Sequence, residues 1–168
     1  MKIRNGFVSN SSSSSFVVAF SKKPETVEEV RDFMFEEETR SVSIYGITAS
    51  TGEIAQAVFD GIQKQKDSAT KEEITYALQG WADSQDRTQL PRRHDFESIE
   101  HWELAYKAAC DRLSERCKKM EEEKADIFWR NHKNDFILIA KYEDHTDLGA
   151  VMEHAGIFRL PHIRISNH

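Results

Sequence analysis

Asn10-Ser11-Ser12-Ser13-Ser14-Ser15-Phe16-Val17-Val18-Ala19-Phe20 is the stretch that decides the fold. Its second half sets Phe16, Val18 and Phe20 on one side and Val17 and Ala19 on the other. Both sides are apolar, which is the pattern of a strand buried on two faces inside a sheet. Left exposed, the same run would recruit other chains. Its first half is polyserine, ordinarily a flexible spacer. Here it is held tightly between Gly6-Phe7-Val8 and the strand, with no charge between Arg4 and Lys22. It reads as an ordered loop rich in hydroxyls and amides that feeds a buried strand.

Outward from this segment, Asn5-Gly6 is a tight-turn dipeptide, across which Lys2–Arg4 and Phe7–Ser9 either form a short hairpin or simply reverse the chain. On the other side, Thr26 caps a helix that carries Val27, Val30, Phe33 and Met34 on one face. Val42–Tyr45 is a second strand, stopped by Gly46. Thr51 caps a helix reaching Lys66, and Thr70 with Glu73 makes a capping box for the next one. A polar loop follows over 83–95. A long helix then runs from Phe96 to Asn131, with Ile99, Trp102, Tyr106, Cys110, Leu113, Cys117, Met120 and Ile127 at steps of mostly three and four, close to a heptad seam. At 1.5 Å per residue it spans roughly 50 Å. The charged run Glu121-Glu122-Glu123 marks a solvent-facing or partner-facing second half.

Phe136–Ala140 is a continuous apolar run, read as a central strand. Thr146–Ala155 is a short helix ended by Gly156. Ile157–Leu160 and His162–Ser166 give the last strand, interrupted by Pro161. The order β-α-β-α-α-α-β-α-β predicts an α+β domain over residues 1–168, with a sheet of about four strands and a helical insertion over 51–131.

The length of 168 residues suits one domain with a real core. The net charge of −6 argues against nucleic acid as a partner. Lys2 and Arg4 are followed by serines rather than by a long apolar segment, so no secretory leader is expected. No stretch approaches the length of a membrane span, and a cytoplasmic chain is the expectation. Cys110 and Cys117 lie seven apart on one helix, about 10 Å. That is beyond the roughly 7 Å a disulfide tolerates, so both read as buried thiols.

Two stretches carry possible chemistry. On the last strand, period-two alternation separates Ile163 and Ile165 from His162, Arg164, Ser166 and His168. Arginine is a forked anion receptor and histidine titrates near neutrality. In the serine loop, Ser11, Ser12, Ser13, Ser14 and Ser15 offer hydroxyls and backbone N–H groups in a concavity, with Arg4 close in sequence. The glycines and lysine of a phosphate-binding loop are missing. If the two end strands pair, Arg4, the serines, His162, Arg164 and His168 converge on one anion site suited to a phosphate-containing small molecule or nucleotide. No residue is assigned a catalytic role and no cofactor is identified. The seven histidines form no short chelating pair, so no metal is assigned. Nor is there a G-x-S-x-G nucleophile elbow.

The opening Arg4-Asn5-Gly6-Phe7-Val8-Ser9-Asn10 through Ser15-Phe16, and the ending Pro161-His162-Ile163-Arg164-Ile165-Ser166-Asn167-His168, resemble those of a loose group of small uncharacterised phage and bacterial proteins. The resemblance implies a phage-type accessory protein and transfers no catalytic residue. Together with the acidic balance and the long helix, it leads to the expectation of a protein that binds a host protein or associates with itself through its helical block. The alternative is the anion-binding module or enzyme built on the chain ends.

Overall fold

β1 (Ser13–Phe20) is the middle strand of a three-stranded sheet ordered β4-β1-β5. The structure is a computed structural model and describes residues 13–79, 81–82, 90–143, 146–154 and 159–167. Along the chain β1 is followed by α1 (Val27–Met34), β2 (Ser41–Ile44), β3 (Ile47–Ser50), α2 (Thr51–Gln65), α3 (Lys71–Ala77), α4 (Ile99–His132), β4 (Phe136–Glu143), α5 (Asp147–His154) and β5 (His162–Asn167). A single 3-10 turn, Arg93–Asp95, precedes α4. The class is α+β, as expected. Among the described residues the strands number five in two sheets, because Val42–Tyr45 is half of a hairpin: β2 and β3 pair antiparallel through Tyr45 and Gly46. Both turn residues have positive φ, 49° and 83°, as the I′ turn of a two-residue hairpin requires.

The chain divides into two compact units, Met1–Ser68 with Asp135–His168, and Ala69–Asn134. This corrects the boundary expected for the helical insertion. α2 belongs to the sheet unit, so the inserted block starts at residue 69 rather than 51. The reason is its amphipathic stripe: Ile54, Ala55, Val58 and Ile62 are buried in one cluster with Phe16, Val18 and Phe20 of β1, Phe136, Leu138 and Ala140 of β4, Val30 and Met34 of α1, and Val151 and Met152 of α5. Phe20 meets Phe33 edge-on at 5.7 Å. The opposite sheet face is buried too, through Ser15, Val17, Ala19, Ile137, Ile163 and Ile165. Two buried faces account for the unbroken apolar spelling of β1.

Both neighbours of β1 run antiparallel to it, with Phe16 facing Ala140 on β4 and Arg164 on β5. Among the described residues β4 is therefore an edge strand, where its composition suggested a central one. Its apolar run reflects burial on both faces rather than strands on both sides. Its outer edge is closed by side chains. The Gln65 amide donates to the Ile137 carbonyl (2.7 Å) and accepts from the Ile139 N–H (2.8 Å), standing in for one residue of a fourth strand. Ser68 Oγ accepts from the Ile137 N–H (2.9 Å) and donates to the Asp135 carbonyl (3.2 Å), tying together the two points where the chain leaves and re-enters the sheet unit.

The helix starts follow local chemistry. Thr26 Oγ1 accepts from the Glu29 N–H at 3.1 Å, as its position predicts. The Thr70–Glu73 capping box forms. For α2 the cap is Ser50, one residue before the expected Thr51, and Ser50 shares a capping box with Glu53. Thr51 is instead buried, its hydroxyl donating toward the Thr39 and Arg40 carbonyls. The hydrogen bonds from Ser50 and Thr70 hold the Glu53 and Glu73 carboxyls below the ordinary carboxylate range.

Candidate functional site

The two end strands do pair, which was the geometric condition for the anion site. Ser13, Ser14 and Ser15 stand opposite Asn167, Ser166 and Ile165 in register. These three serines are nonetheless not a loop. They are the first residues of β1 and lie between β4 and β5, so their backbone is committed to a sheet rather than curled into an anion-binding concavity. Ser15 is buried on the face opposite Arg164, since Arg164 stands across from Phe16, the next residue along β1. Ser13–Ser15 have weak strand propensity, so the sequence places the start of the strand too late, at Phe16. Pairing on both sides overrides that propensity.

His162 and Arg164 are both exposed and lie two residues apart on one face of β5. His162 Nδ1 sits 2.9 Å from the Leu160 carbonyl, which fixes the ring beside Pro161 when that nitrogen carries the proton. Arg4, Ser11, Ser12 and His168 lie outside the described residues, as does the hairpin or chain reversal expected over Lys2–Ser9.

A trough runs along α2 where Gly52, Ala57 and Gly61 present no bulk. Two cavities of about 620 and 530 Å³ share Ala57 and Asp60. Glu53, Asp60 and Asp147 line the first, and Lys64 and Lys141 the second. Much of this polar lining is already engaged: Glu53 accepts from Ser50, and Gln56 Nε2 donates to Asp60 at 2.7 Å. Tyr142, in the wall of the second cavity, packs its ring 5.9 Å from Phe16. Its hydroxyl is buried with no hydrogen-bond partner among the described residues. Burial drives the phenol above its ordinary range. Among the described residues no three His, Cys, Asp or Glu side chains are grouped to hold a metal.

The helical unit holds the most unusual surface. α4 is 34 residues long, about 51 Å at 1.5 Å per residue. Ser98 caps it, with Oγ accepting from the His101 N–H at 3.2 Å. Its buried residues, Cys117, Glu121, Ala125 and Phe128, all lie in the second half. α3 packs there, and Lys71 pairs with Asp126 at 2.7 Å. That pairing holds the Asp126 carboxyl below its ordinary range.

The buried stripe differs from the expected one. Within the charged run Glu121-Glu122-Glu123, expected to face solvent or a partner helix, Glu121 is buried and accepts from the Ala82 N–H at 3.3 Å. Ile127, read as a seam residue, is exposed. The signal for Glu121 was its place four residues after Cys117 and four before Ala125, a spacing that outranks its charge. Of the two thiols, Cys117 is buried and Cys110 is half-buried, and the two form no disulfide.

From Ile99 to Arg116 no side chain of α4 is buried. Ile99 is 55% exposed and Tyr106 38%. Trp102 stacks on Tyr106 at 5.3 Å and donates its indole N–H to the Pro91 carbonyl at 3.0 Å. Ile99, Trp102, Tyr106, Ala109 and Leu113 recur at alternating steps of three and four, the a/d spacing of a coiled-coil seam. No helix among the described residues is long and apolar enough to cross a membrane. No protein-family model matches the chain, and no curated protein or solved structure is significantly similar to it.

Proposed function

We propose that this chain is a protein-binding factor whose docking element is the first half of α4. The resemblance of its two ends to small phage and bacterial proteins makes it a phage-type accessory protein, acting on a host protein or on a second copy of itself. One observation carries the reading: a helix half without a single buried side chain bears an aromatic and aliphatic seam at heptad spacing. Helices in proteins draw most of their stability from burying such a face. A seam left in water is a surface that gains by being covered.

The test compares the wild-type chain with a Tyr106→Glu/Leu113→Glu variant by sedimentation, both as purified protein and in host extract. Neither residue is buried, so the variant retains its thermal transition. The wild type is expected to sediment above its 19.4 kDa monomer mass in at least one of the two settings. The variant is expected to lose that species. A wild type that stays monomeric in both contradicts the reading.

A second reading, an anion site at the chain ends, is favoured by one feature. β1 and β5 pair, which sets the exposed His162 and Arg164 on the strand beside the serine-bearing end of β1. A phosphate-containing ligand would meet the Arg164 guanidinium there. Phosphate or nucleotide is then expected to raise the melting temperature of the wild type and not that of Arg164→Ala. An equal response in both removes this reading.

A further inference from the structure

We infer that the partner of the α4 seam is a second copy of this chain, docked antiparallel about a twofold axis near Lys107 and Ala108. This rests on the docking reading above and names its occupant. The argument comes from charge and size along the exposed half.

Charge is segregated along the helix. Glu97 immediately precedes its Ser98 cap and Glu100 and Glu103 lie in its first turns, with no Lys or Arg among them. Farther on in the exposed half, Lys107, Arg112 and Arg116 outnumber Asp111 and Glu115, and Lys118 and Lys119 follow just beyond it. In a parallel pair the acidic start meets its own copy and the basic stretch meets its own copy, so like charges are juxtaposed at both ends. In an antiparallel pair each acidic start lies along the other copy's basic stretch. The twofold axis provides this complementarity twice, since an isologous interface repeats every contact.

Size agrees with the same register. Centring the pair between Lys107 and Ala108 places Tyr106 of one copy against Ala109 of the other, and Trp102 against Leu113. Large meets small at the centre, where Ala105, Ala108 and Ala109 allow the backbones to approach, and the bulkiest side chains fill the next layer out. In the outermost layer Ile99 faces Arg116, whose long aliphatic stem can cover it. The seam then closes over its own apolar residues with no foreign chain required.

Two measurements on the full-length chain test this. The first is the dissociation constant of the purified wild type by equilibrium sedimentation at low and at moderate sodium chloride. Attraction between opposite ends weakens as salt screens it, so the constant is expected to rise several-fold. A constant that falls with salt, or a chain that is monomeric as purified, overturns the inference.

The second places one spin label at Lys107→Cys or at Glu100→Cys, with Cys110→Ser and Cys117→Ala, and reads electron–electron distances. In the antiparallel register label 107 lies about 2 Å along the axis from its copy and label 100 about 22 Å from its own. A short distance at 107 with a much longer one at 100 is expected. Equal distances at both overturn the antiparallel arrangement and leave self-association standing. A chain monomeric as purified but bound in host extract removes the second copy and leaves the docking reading intact.

Discussion

Tyr142 is the residue whose environment departs furthest from its chemistry. Its hydroxyl is buried beside Phe16 and meets no hydrogen-bond partner among the described residues. A buried donor without a partner forfeits its hydration with nothing in return. Tyr142→Phe is therefore expected to raise stability by about 1 kcal/mol in urea denaturation, and a loss of that size would reveal a partner. The pH dependence has a definite sign. Burial raises the phenol's folded pKa above its ordinary value of about 10. The native state thus keeps a proton that the unfolded chain gives up above that pH. This contribution is complete below pH 10 and is lost as pH climbs above it. Denaturation midpoints of the wild type should fall above pH 10, and Tyr142→Phe should flatten that fall.

β4 is the element whose behaviour depends most on a single side chain outside it. An edge strand with apolar faces is prone to pair with another molecule, and here Gln65 and Ser68 occupy that edge. Gln65→Ala strips the partners from the Ile137 carbonyl and the Ile139 N–H. The expected cost is about 1–3 kcal/mol, accompanied by increased light scattering during refolding. A variant with wild-type stability and no scattering would mean that the edge is satisfied in another way. This element also marks how far the sequence could be read. The apolar spelling of Phe136–Ala140 reports burial of two faces, which is a local property. Its place at the edge depends on Gln65, 72 residues away from Ile137, and no local pattern encodes that. Thr26, Thr70 and the strand at Phe16–Phe20 were legible because their signals lie within a few residues of the structure they specify. Ser13–Ser15 were not, because their strand conformation is imposed by β4 and β5. Of the candidate site, the sequence posed the pairing of the end strands as a condition, which β1 and β5 meet, while the strand conformation of Ser13–Ser15 was not legible. The α4 seam was visible as a stripe, but its division into a buried second half and an open first half depends on where α3 packs.

In the whole molecule each of the two units has its own buried residues, and the chain crosses between them at Ser68 and Asp135, where the Ser68 hydroxyl joins the crossing points. The sheet unit is closed in its chemistry: both faces of β1 are covered and the polar lining of the α2 trough is largely engaged. The helical unit is different, because α4 extends about 27 Å before reaching its first buried residue. Eighteen residues of helix with no buried side chain and an apolar seam make sense as a docking element and have no role in the unit's own core. The most direct measurement is the sedimented mass of the purified full-length chain across a dilution series, beside Tyr106→Glu/Leu113→Glu with its melting curve recorded in parallel. A reversible dimer in the wild type, with an equally stable monomer in the variant, is the expected outcome. A wild type that is monomeric at every concentration and takes up nothing from host extract, or a variant that associates as strongly as the wild type, would contradict the assignment of α4 as the binding element.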